Sequence, residues 1–112
     1  MNLALNEREN IFTVDVSGRI EFNDVDSFEA YLKALTARGI TRIILDMSQV
    51  ESVVSGSLGT LMKLADDLEA HGGRLVVLNP NVKVLSVFRR MGLDEVFRIC
   101  DVEEEARRVV LS

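Results

Sequence analysis

Two uninterrupted apolar runs, Ile43-Ile44-Leu45 and Leu75-Val76-Val77-Leu78, are each followed by a polar break and then by apolar residues at helical spacing. A run without polar alternation fits a strand covered on both faces, which calls for helices on each side of a parallel sheet. The break after the first run, Ser52 to Gly59, is rich in Ser and Gly and reads as a turn. It leads into the stripe Leu58, Leu61, Met62, Ala65 and Leu68, closed by His71-Gly72-Gly73. After the second run, Pro80 marks a helix start, and Val82, Leu85, Phe88 and Met91 follow at helical spacing up to Gly92.

The flanks extend the same alternation. Ile11–Val16 is β-branched and aromatic and reads as a strand ending at Ser17-Gly18; Leu3–Glu7 is a shorter strand before it, with Arg8–Asn10 as the turn. Val25, Phe28, Leu32 and Leu35 mark a helix with Asn23 or Asp24 as its cap and Gly39 beyond its end. Val96–Cys100 is a short strand, and Asp101 is placed to cap a last helix carrying Val102, Ala106, Val109 and Val110. The pattern predicts one α/β domain over residues 1–112, with a mixed sheet of four or five strands and about four helices packed on it.

Composition limits the chemistry. Thirteen Lys and Arg against eighteen Asp and Glu leave a formal net charge of −5, which disfavours nucleic acid and anionic membrane faces. One cysteine, Cys100, and one histidine, His71, exclude an intrachain disulfide and a Cys/His zinc site. The apolar runs are far shorter than the roughly 20 residues of a membrane span, and Met1–Glu7 turns polar where a secretion signal needs apolar length. The expectation is a cytoplasmic domain without metal, cofactor or membrane insertion.

One segment has the local character of a site: Val53-Val54-Ser55-Gly56-Ser57-Leu58-Gly59-Thr60, between a buried strand and an amphipathic helix. It is not a P-loop, because Gly59 is followed by Thr60 and Leu61 rather than by Lys and a hydroxyl residue. Ser55-Gly56-Ser57-Leu58-Gly59 approaches a nucleophile elbow, yet His71 lies 14 residues beyond Ser57 on the same helix. At 1.5 Å per residue that is about 20 Å, too far for a base. No catalytic residue is expected. Two roles remain open for the serines: an N-cap of the helix, or an acceptor of phosphate transferred by another protein.

At this point a family comes into view. Ile43-Ile44-Leu45-Asp46-Met47-Ser48-Gln49-Val50 followed by Val54-Ser55-Gly56-Ser57-Leu58-Gly59 resembles the STAS domain of bacterial anti-sigma factor antagonists. Ser17–Glu21, Gly73–Asn79 and Met91–Phe97 are similar to further stretches of that family, so the likeness covers nearly the whole chain. The resemblance puts Ser55 on the serine that a partner kinase phosphorylates, with Ser57 as an alternative acceptor. Val54 stands where the family has aspartate, Gly56 where it has a second hydroxyl residue, and Ser57 where it has glycine.

The resemblance implies an anti-sigma factor antagonist. Such a domain binds an anti-sigma factor with a histidine-kinase-like ATPase fold and so frees a sigma factor; phosphorylation breaks the complex and a serine phosphatase restores it. It implies partner contacts through Phe22, Asn23, Val54, Ser55, Gly56, Ser57, Leu58 and Met62. The altered motif sets a second expectation beside it, a regulatory STAS subunit of a lipid-transport ABC ATPase or of a larger STAS signalling assembly, without phosphorylation.

Overall fold

Alternation within the strands decides which face each residue serves. In Ile11–Ile20, Val14 and Val16 point to one side of the sheet and Ile11 to the other, and both sides find apolar cover. The computed structural model describes all of residues 1–112. Its strands are β1 (Asn2–Arg8), β2 (Ile11–Ile20), β3 (Arg42–Val53), β4 (Arg74–Leu78) and β5 (Arg98–Cys100). Its helices are α1 (Val25–Ala37), α2 (Ser55–Ala70), α3 (Val82–Arg90) and α4 (Glu103–Leu111), with short 3-10 turns at Phe22–Asp24 and Leu93–Glu95.

The strands lie in the order β1-β2-β3-β4-β5, with β1 antiparallel to β2 and every other pair parallel. The mixed five-stranded sheet with four helices matches the architecture read from the sequence. The larger core lies on one face: Val14, Ile43, Leu45 and Val77 meet Phe28 and Leu32 of α1, Leu61 and Leu68 of α2, and Phe88 of α3. Phe88 meets Phe97 edge to face, with centroids 5.9 Å apart. On the opposite face α4 alone covers Ile44, Val76 and Cys100 with Ala106, Val109 and Val110. Arg42 at the start of β3 donates to the Val110 carbonyl at 2.6 Å, closing the end of α4.

Several boundaries differ from the sequence expectation, each for a local reason. β2 does not stop at Ser17-Gly18. It continues to Ile20 through irregularities in its pairing with β3, and Gly18 at φ +86° is the residue able to take that conformation inside a strand. The Ser52–Gly59 turn is a single linking residue: Ser52 and Val53 belong to β3, Ser55 to α2, and Val54 joins them. α3 does not start at Pro80 but at Val82, capped by Asn81, whose side chain accepts from Val84 N at 2.8 Å. The buried stripe of α3 is Val84 and Phe88, while Val82 and Met91 face outward. α4 begins after Val102 with no side-chain cap, so Asp101 does not cap it. The last strand is limited to Arg98–Cys100 because Leu93–Glu95 takes a 3-10 turn ahead of it.

Candidate functional site

The carboxyl ends of the parallel strands β2, β3 and β4 share one end of the sheet, where chain crossings leave side chains free of the core. β2 and β3 finish together, Ile20 paired with Val53. Val54 N then donates to the Ile20 carbonyl at 3.0 Å, so the two exits stay locked. A Cβ built on Gly56 would lie 3.9 Å from Val25 Cγ2, so the first turns of α1 and α2 stand against each other.

Within that frame the two serines part. Ser57 is 1% exposed, and its hydroxyl donates to the Val54 carbonyl at 2.8 Å. Ser55 occupies the first position of α2, is exposed, and takes part in none of the side-chain hydrogen bonds at this end. Neither serine is the N-cap; that position is Val54, in extended conformation. The free helix N–H groups beside Ser55 and the absence of acid in the first turn suit a negative charge there.

The other expected contact residues divide by exposure. Phe22 stands 87% exposed on the 3-10 turn, with Asn23 exposed beside it. That turn is closed by Glu21 N donating to Asp24 Oδ2 at 2.8 Å. Gly56 is exposed, Val54 half-buried, and Met62, two turns along α2, 39% exposed. Leu58 is at 0% and belongs to the core, so its side chain has no surface to offer a partner. Phe22, Asn23, Val54, Gly56 and Met62 thus all keep some surface, as Ser55 does.

The groups that could react are elsewhere. His71 follows the far end of α2, its Nδ1–H donating to the Asp67 carbonyl at 2.7 Å. Cys100 is buried on the α4 face, and burial pushes its thiol up, with Glu105 adding to the effect. Sequence reasoning passed over Asn81. Its Nδ2 donates to the Val50 carbonyl at 3.0 Å and reaches the Glu51 carbonyl at 3.3 Å, so it ties α3 to the last stretch of β3. The signal was an Asn one residue ahead of an apolar-periodic segment.

A mixed sheet with β1 antiparallel at its edge, and a free hydroxyl on the first turn of the helix after β3, define the class. The STAS domain family matches residues 2–106, and the chain belongs to it. Among known relatives, a candidate anti-sigma factor antagonist of Thermotoga maritima is 34% identical over 73 residues, which is 65% of this chain and 65% of that protein. A crystal structure of a candidate anti-sigma factor antagonist from the same organism superposes with a TM-score of 0.91 at 23% identity, covering 98% of this chain and 95% of that one. The unphosphorylated form of the anti-sigma factor antagonist SpoIIAA superposes with a TM-score of 0.85 at 24% identity, over 98% and 96% of the two chains. No helix of the chain is long and apolar enough to cross a membrane.

Proposed function

We propose that this protein is an anti-sigma factor antagonist, a non-enzymatic cytoplasmic binding domain that captures an anti-sigma factor and thereby frees a sigma factor. The observation that carries the proposal is Ser55: an exposed, unbonded hydroxyl at a helix start, beside the exposed Phe22 turn, in a chain of the STAS family. The partner is an anti-sigma factor with a histidine-kinase-like ATPase fold. Phe22, Asn23, Val54, Gly56 and Met62 contact it around Ser55.

The same partner phosphorylates Ser55. The Ser55 oxygen attacks the γ-phosphorus of ATP, ADP departs, and the hydroxyl proton passes to a base supplied by the kinase. The product carries about −1.5 to −2 charge. In solution the helix start accommodates it, but in a closed interface it must lose water, and the complex opens. A serine phosphatase returns the hydroxyl.

Titration of the chain into its purified anti-sigma factor tests the proposal. Binding that survives Ser55→Ala and is lost in Ser55→Asp supports it; equal affinity of the two variants contradicts the switch. Val54, which offers no carboxylate beside the serine, favours a second reading as a regulatory STAS subunit of a transporter ATPase or of a larger STAS assembly. In that case Ser55→Asp and Ser55→Ala bind alike.

A further inference from the structure

Phe22 and Val82 are the two most exposed large apolar side chains of the protein, at 87% and 84%. Each follows the carboxyl end of a parallel strand, Phe22 just beyond β2 and Val82 at the first position of α3 beyond β4. β3 lies between those strands and outruns β4: the last β3–β4 pair is Asp46 with Leu78, yet β3 continues to Val53. The segments that carry the two side chains thus follow the strands on either side of β3, whose overhanging end leads through Val54 into Ser55.

Both flanks are fastened to that overhang. On the β2 side, Val54 N bonds the Ile20 carbonyl and the Glu21–Asp24 bond closes the turn that carries Phe22. On the β4 side, Asn81 bonds the Val50 carbonyl through Nδ2 and Val84 N through Oδ1, and Val82 sits between those two points. Backbone fastened before contact loses little freedom when a partner covers the apolar groups it carries.

Charge selects the occupant. Glu21, Asp24 and Asp26 lie within four residues of Phe22, and Glu51 is on the overhang whose carbonyl Asn81 reaches; against them stand Arg19 and Lys83, and Arg19 is already 3.6 Å from Glu51. A second copy of this chain would bring carboxylates against carboxylates. A protein face with apolar hollows bordered by Arg or Lys is complementary.

We infer that Phe22 and Val82 are paired anchors for such a basic-rimmed face of the anti-sigma factor, an inference that rests on the proposed function. Seating both anchors closes the partner over Ser55, which follows the overhang after Val54. The anchors therefore set how completely a phosphate there would be stripped of water, and so how strongly it opposes the complex.

The test uses the ATPase that co-purifies with the wild-type chain and is identified by peptide mass, then titrated calorimetrically. Val82→Ser is expected to weaken binding roughly tenfold, and Phe22→Ser by at least as much, as truncation of apolar anchors does. Both should melt with the wild type, since neither side chain is in the core. Wild-type affinity should fall as salt rises. The penalty of Ser55→Asp should shrink in the Val82→Ser background. A wild-type chain that binds no such ATPase overturns the antagonist proposal itself. Binding within twofold of wild type for Val82→Ser overturns the anchor inference while leaving that proposal standing. So does affinity indifferent to salt, or a wild-type dimer that Val82→Ser dissolves.

Discussion

The Ser57 hydroxyl donates to the carbonyl of Val54 at 2.8 Å, and this bond separates two serines that stand two residues apart. One turns back to tighten the start of α2 and is sealed; the other, Ser55, is left outside. Phosphate added by a kinase should therefore be found on Ser55 alone, as fragment masses would show. Ser57→Ala removes a buried bond and should cost about 1 kcal/mol in urea unfolding, whereas Ser55→Ala should stay within about 0.5 kcal/mol of wild type.

Leu58 and Met62 lie on the same helix, one at 0% exposure and the other at 39%. Leu58→Ala should destabilise the fold by about 2–5 kcal/mol, the range for truncating a buried leucine. Met62→Ala should leave the unfolding midpoint nearly unchanged and weaken partner binding. Paired denaturation and titration curves on the two variants separate the core role from the contact role.

On the α4 face, Asp15 of β2 is in register with Asp46 of β3. Partial burial first, and the Asp46 charge second, hold the Asp15 carboxyl above its ordinary value, although the Asn6 amide donates to it. The native state thus binds this proton more tightly than the unfolded chain does. Its destabilising effect is present at neutral pH and is relieved as pH falls through the raised value toward the ordinary one. Asp15→Asn should raise stability at neutral pH by about 0.5 kcal/mol, within the span of cross-strand pairs. Glu29, lowered by its bond to Lys33, pulls the other way in acid. The difference between variant and wild type across a pH series therefore isolates Asp15.

Glu9 and Asn10 link β1 to β2 with φ of +55° and +65°. A two-residue hairpin turn of this hand prefers Asn-Gly, and Glu is a poor occupant of the first place. Glu9→Asn with Asn10→Gly should stabilise the protein by about 1 kcal/mol, seen as a higher melting temperature. The exposed Glu9 contacts to Arg8 and Arg107, at 3.9 and 3.8 Å, contribute too little to reverse the sign.

Element order was legible because Ile43-Ile44-Leu45 and Leu75–Leu78 have no competing period, and the stripes after them fit only helices. Boundaries were not legible where one residue serves two patterns. Gly18 signals an end by type yet sits inside β2 as an irregularity, and Ser52-Val53 read as turn residues yet complete β3. Within the motif, type and spacing treat Ser55 and Ser57 alike. Only the fold turns one hydroxyl inward. Leu58 was expected both in the apolar stripe and among the partner contacts, and only the first agrees with its burial. Val82 was placed in the apolar stripe of α3, yet as the first helical residue after the Asn81 cap it is exposed, and Val84 and Phe88 are the buried pair.

The most direct test of Ser55 as the point of exchange is the intact mass of the chain after incubation with the proposed anti-sigma factor partner and ATP. The account predicts a gain of one phosphoryl group, abolished by Ser55→Ala and retained by Ser57→Ala, with the phosphorylated fraction no longer eluting with the partner. An unchanged mass while the partner binds and hydrolyses ATP, or a phosphoryl group that persists in Ser55→Ala, would contradict it.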